Sequence, residues 1–201
     1  MKRFFAGLRR KAGRARDRGG DAAGNDDQRF GTGLWRHNRD RFLRAVDRYY
    51  TTAVALHESR AAGVAAAGDG AGSTPDGGPG PASANEGAAQ DPIDIIVDGT
   101  HRLNSLATVV DDITAQLHRR HPVTGQIVPG YTRRAVGDAP ELLTKASSKV
   151  AEAVLAASMA RAEAPAGRPI GSSARATERF ITDAEELLER AQENLARLEQ
   201  P

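Results

Sequence analysis

Apolar residues recurring at alternating steps of three and four, sustained over four separate stretches, constrain this 201-residue chain more than any other feature. That period sets side chains on one face of a helix, whereas a half-buried strand alternates at every second residue. In the first stretch Trp35, Phe42, Val46, Tyr49, Ala53 and Leu56 share a face that Leu43, Tyr50 and Val54 widen. In the second, Ile96, Leu103, Leu106, Val110, Ile113 and Leu117 keep the step, with Gly99 as its one weak position. Asp91 and Pro92 supply that helix with an N-cap and first turn. His118, Arg119, Arg120 and His121 end it before Pro122, cations where the helix dipole favours them. The third stretch buries Leu143, Ala146, Val150, Ala153 or Val154, and Ala157, behind Asp138 and Glu141 at capping-box spacing. The fourth runs through Ile181, Ala184, Leu188, Ala191, Leu195 and Leu198, with Ser172 or Ser173 as its cap.

Four amphipathic helices of similar length, roughly 40 to 50 Å each at 1.5 Å per residue, predict an all-α fold. The expected form is an elongated antiparallel four-helix bundle with coiled-coil-like packing. The connection from Pro165 to Gly171 is short enough to make the third and fourth helices antiparallel neighbours. Separate coiled-coil helices that self-associate are the alternative. Ile93 to Val97 is rich in β-branched residues and precedes Asp98-Gly99, a pattern that also suits a strand ending in a turn. Helix is preferred there because the apolar phase of Ile93 and Ile96 continues into Leu103. Pro129-Gly130 suits a type II turn with Gly130 at positive φ.

Composition separates two stretches from these helices. Residues 1–32 carry nine basic and four acidic side chains and no sustained apolar period, and are expected to be a disordered basic tail. Residues 67–90 lack Lys and Arg and are dense in Gly, Pro, Ser and Ala, which is flexible-linker composition. Helix one then occupies 33–66, and helices two to four occupy 91–201. The formal net charge of +2 conceals a division into a basic tail, an acidic linker and a charge-balanced remainder. Arginine outnumbers lysine 24 to 4, a bias read first as GC-rich coding and second as selection for guanidinium chemistry.

Catalytic chemistry finds little support. With no cysteine there is no disulfide, thiol nucleophile or cysteine-ligated zinc. A di-metal bundle site needs glutamates and paired Glu-x-x-His motifs; the nearest pattern is Asp98-x-x-His101, with Glu58 the only glutamate in helix one. His118 and His121 lack further ligands nearby in sequence. Neither a phosphate-binding loop nor a nucleophile elbow occurs. No catalytic, cofactor-binding or metal residue is therefore assigned, no cofactor is expected, and no small-molecule substrate is evident. An enzyme of unknown class is the remote alternative, and it would need Asp98, His101 and Glu58 to converge.

Charge distribution points instead to an anionic partner. Lys2, Arg3, Phe4, Phe5, Leu8, Arg9, Arg10, Lys11 and Arg14 combine cations with apolar residues on a shared helical face, the pattern of a membrane-surface anchor. The apolar stretch from Phe4 to Leu8 is too short for a secretory signal, and no run is long enough for a membrane span. The expected location is cytoplasmic, peripheral at the inner face of the membrane. Up-and-down helices would gather Arg36, Arg39, Arg41, Arg119, Arg120, Arg133 and Arg134 at one basic end. Glu58, Asp69, Asp91, Asp94, Asp98 and Glu178 would lie at the other. The function expected is a non-catalytic helical interaction or scaffold protein on an anionic membrane surface. Contact would run through the tail residues and Arg119, Arg120, Arg133 and Arg134. The alternative is a nucleic-acid-associated helical protein using the same tail and loop. The linker is longer than a hairpin between neighbouring helices needs, which leaves room for a protein partner or self-association through helix one.

Overall fold

A computed structural model describes residues 21–68 and 90–198, and among these the chain is all helical. Helix α1 spans Asp21–Phe30, α2 Leu34–Gly68, α3 Pro92–Arg120, α4 Gly130–Val136, α5 Ala139–Glu163 and α6 Gly171–Leu198, with a 3-10 turn at Ala164–Ala166. The four long helices are those the apolar period predicts, and Ile93 to Val97 lies within α3 rather than in a strand. Asp91 caps α3 as expected, its carboxylate accepting from the Ile93 N–H at 2.9 Å.

Each long helix packs on two others, in the closed order α2, α3, α6, α5. Antiparallel pairing holds for α2 with α3, where Trp35 meets His121 and Arg60 meets Asp91. It holds also for α5 with α6, where Asp138 meets Asn194 and Glu163 meets Ser173. It does not extend to α3 and α6. Arg102 bonds Glu185, while further along both helices Leu117 and Leu195 line one cleft, so these two run parallel. The reason lies in the connection through residues 121–138. With α4 inside it, that segment is long enough to carry the chain away from α3 and set α5 beside α2 instead.

The core is continuous between the helices. Trp35, Phe42, Tyr49 and Leu56 face Ile96, Leu103, Val110, Ile113 and Leu117 across α2 and α3. Alanine takes a larger share of the core in α5 and α6, where Ala146, Ala153, Ala157, Ala160, Ala174, Ala184 and Ala191 are fully buried. Gly99, expected as a weak position, is a packing notch. A Cβ there would fall 2.3 Å from the Tyr49 hydroxyl and 2.7 Å from Ile181 Cδ1, so its bare backbone lets three helices meet.

Several terminal details depart from the sequence reading. Residues 21–30 are helical and Phe30 is buried, so this part of the stretch expected as a tail over 1–32 is folded, while residues 1–20 lie outside the described residues. Phe30 is held by the Arg39 guanidinium, 4.0 Å from its ring centroid, a tertiary contact that no local pattern announces. Asp138 does not cap α5 with its side chain, because its carboxylate accepts from the Asn194 amide of α6. Ser172 and Ser173 are inside α6 rather than before it, and the Ser173 hydroxyl donates to Glu163 Oε2 at 3.0 Å. Gly130 opens α4 after an extended Pro129 instead of occupying a turn position, and among the described residues the positive-φ glycines are Gly31, Gly137 and Gly167.

Candidate anionic-contact surface

The start of α2 and the end of α3 meet through an unusually close backbone approach. Gly31, at φ 71°, and Gly33 let the chain turn from α1 into α2 directly against residues 118–125. A Cβ on Gly33 would stand 2.0 Å from the Val123 carbonyl oxygen, and one on Gly31 would stand 2.6 Å from the His118 ring, so neither position admits a side chain without movement. Trp35 Nε1 donates to the His121 carbonyl at 2.8 Å, and the Leu34 N–H donates to the Gly125 carbonyl at 3.0 Å. Helix α4 and the start of α5 follow immediately, and the end of α6 joins them through Asn194 and Leu195.

Arg119, Arg120, Arg133 and Arg134 are all exposed at this end. No acidic residue occurs between Asp112 and Asp138. Arg133 donates to Glu141 at 2.5 Å, and Arg134 Nε approaches the Gly130 carbonyl at 3.4 Å. Two large apolar residues stand in the same segment with little cover. Ile127 is 85% exposed and Tyr131 71%. Ile127 escaped the sequence reading because a loop has no period against which to judge an apolar residue. The Gly-Thr-Gly-Leu-Trp run at 31–35 was the available signal that this loop is held.

The cations expected from the start of α2 have a different fate. Arg36 pairs with Asp27 and Asp40. Arg39 donates from Nε to Asp111 at 2.6 Å and lies 3.4 Å from Asp26. Burial works against the charge on Arg39, but the Asp111 hydrogen bond and the fields of Asp111, Asp26 and Asp40 outweigh it and raise its pKa. Arg29 approaches Asp112 at 3.7 Å. Asp26 and Asp27 come from α1, which folds back beside α2 and α3. Arg36 and Arg39 are thus offset by nearby carboxylates, and the exposed cations of this end lie within residues 119–134, where Arg133 is itself paired with Glu141.

At the other end Arg60 lies 2.8 Å from Asp91 and 3.6 Å from Asp94, which offsets part of the expected acidic cluster. Asp98 accepts from Gln90 at 3.0 Å, and Glu58 and His101 are exposed. Asp69 lies outside the described residues, as do Lys2, Arg3, Phe4, Phe5, Leu8, Arg9, Arg10, Lys11 and Arg14. Arg102 of α3 donates to Glu185 at 2.9 and 2.5 Å and to Thr182 at 2.7 Å; the Glu185 hydrogen bond raises its pKa against the cost of burial. This cluster joins α3 to α6. Among the described residues no three His, Asp or Glu side chains are grouped to hold a metal ion. The cleft between α3, α4 and α6, about 200 Å³, is lined by Gln116, Leu117, Arg120, His121, Ala135, Leu195 and Leu198.

No known protein family, curated protein or solved structure matches the chain. Among the described residues no helix is long and apolar enough to cross a membrane.

Proposed function

We propose that this protein is a non-catalytic helical interaction or scaffold protein that binds peripherally to an anionic membrane surface. One observation carries the reading: Arg119, Arg120, Arg133 and Arg134 are exposed together at one end, in a segment with no acidic side chain from 113 to 137. Near an anionic bilayer each such cation contributes on the order of 1 kcal/mol. The basic amphipathic N-terminus, with Phe4 and Phe5 among its cations, supplies the second element that stable anchoring requires.

Co-sedimentation of the full chain with phosphatidylglycerol vesicles and with duplex DNA tests this. Binding to vesicles that falls when Phe4→Ala and Phe5→Ala are combined is the expected result. Binding to DNA that follows the arginines, ignores the phenylalanines and falls log-linearly with salt would favour the nucleic-acid reading instead.

A further inference from the structure

The loop between α3 and α4 holds Ile127 out of the fold by anchoring both of its flanks. On one side Val123 is buried, its backbone is pressed on Gly33, and the Gly125 carbonyl accepts from the Leu34 N–H at 3.0 Å. On the other side Val128 packs against the core, and the Pro129 carbonyl accepts from the Arg133 N–H at 2.9 Å to start α4. With Gly125 and Val128 fixed, the two residues between them have nowhere to fold back, and Ile127 remains 85% exposed. Tyr131 is on the outer side of α4, whose inner positions Thr132 and Val136 are buried. A lone exposed aliphatic residue is ordinary on a protein surface; here two large apolar residues, Ile127 and Tyr131, are exposed in one short segment flanked by exposed arginines.

We infer that residues 124–134 form a preshaped membrane-insertion loop, in which Ile127 and Tyr131 enter the interfacial region of an anionic bilayer while Arg119, Arg133 and Arg134 meet the lipid phosphates. This rests on the membrane reading above and adds to it a site in the folded body, independent of the N-terminal phenylalanines. The chemistry selects the partner. The Ile127 side chain has no ring to stack on an unpaired base and no polar group to read a base edge. An apolar tip beside cations is what the boundary between acyl chains and anionic headgroups accommodates. Tyrosine suits that boundary as well, with an apolar ring and a polar hydroxyl.

The full-length chain carrying Ile127→Ser is compared with wild type for partition onto phosphatidylglycerol vesicles, with Leu155→Ser as the control. Leu155 is also exposed, at 67%, but lies on α5 away from the loop, and neither substitution disturbs the core. The expected result is about tenfold weaker partition for Ile127→Ser, from partial loss of one buried aliphatic side chain, and no change for Leu155→Ser. A second variant, Ile127→Trp, reads insertion directly, because the only native tryptophan, Trp35, is fully buried. The introduced indole should shift its emission to the blue on adding the vesicles and be quenched by lipids brominated on their acyl chains. Wild type that binds vesicles with Ile127→Ser binding equally well, or an introduced indole that stays in water, would overturn the loop assignment and leave the membrane reading standing. Wild type that binds no vesicle would overturn both.

Discussion

The two antiparallel helix pairs close their seams with different side chains. Between α2 and α3 the contacts are made by Trp35, Phe42, Tyr49 and Leu56 on one helix and Ile96, Leu103, Val110 and Leu117 on the other. The buried positions of α5 and α6 are richer in alanine, from Ala146 to Ala160 on one helix and Ala174 to Ala191 on the other, interspersed with Leu143, Val150, Ile181 and Leu188. Large side chains bring much apolar area out of water and leave a cavity when shortened. Alanines bring little area each, but they let backbones approach closely and leave no room for anything larger. The connections agree with this division. The alanine pair turns within Ala164–Ile170, aided by Gly167 at φ 65°, whereas the large-residue pair is joined across residues 69–89. The first pair should therefore be sensitive to truncation and the second to enlargement.

The largest effect is expected at Trp35. Replacing it with alanine empties a fully buried site and leaves the His121 carbonyl without its donor, a combined loss of about 4 kcal/mol. Urea denaturation followed by circular dichroism measures this without the lost fluorophore. A loss under about 1 kcal/mol, the range of surface changes, would mean that the α2–α3 seam does not depend on its large residues.

The second effect is of the opposite kind. Ala157→Leu inserts three carbon atoms into a fully buried position on α5, and overpacking of this sort costs about 1–3 kcal/mol. Leu155→Ala, two residues away on the exposed side of the same helix, should change stability by no more than about 0.5 kcal/mol. Were Ala157→Leu neutral, the alanine seam would be loose, and the contrast between the two pairs would lose its physical basis.

Legibility in the sequence followed the same contrast. The helix spans were readable because large apolar residues mark the period, as Leu103, Leu106, Val110, Ile113 and Leu117 do in α3. Even the alanine-rich helices showed it through Leu143, Val150, Leu188 and Leu195. Helix α1 was not readable. Its one large apolar residue is Phe30, and what holds it is the distant Arg39 and the pairing of Asp27 with Arg36. Seven residues of α4 are too few to display a period. Gly99 misled for a related reason: it looks like a weak position in one dimension, and only packing reveals that the Tyr49 phenol occupies the space beside it. The exposed arginines at 119, 120, 133 and 134 were legible as a run without acids. That Arg36 and Arg39 are paired was less so, because Asp26 and Asp27 come from a segment that reads as a tail and Asp111 comes from another helix.

The smallest effect at neutral pH, and the most specific test of the α2–α3 seam, involves Tyr49. Its hydroxyl donates to the Ile96 carbonyl at 2.8 Å in the space that Gly99 leaves open. Burial raises its pKa well above the ordinary 10.0, with the nearby Arg102 charge acting in the other direction. The raised value fixes the sign of the pH dependence. Below the ordinary tyrosine range both folded and unfolded chains hold the proton, and stability does not change on this account. As pH rises past about 10 the unfolded chain releases the proton and the folded chain keeps it, so stability falls until the folded phenol itself ionises. Tyr49→Phe removes this dependence along with one hydrogen bond, so the variant should be about 1 kcal/mol less stable at neutral pH. Above pH 10 that deficit should narrow, because only the wild type continues to lose stability through this group. Denaturation midpoints of the two proteins between neutral pH and the alkaline range give the difference directly. Parallel curves would mean that the phenol at the seam ionises as freely as one in water, and the close approach of α2 and α3 at Gly99 would then not exclude solvent from it.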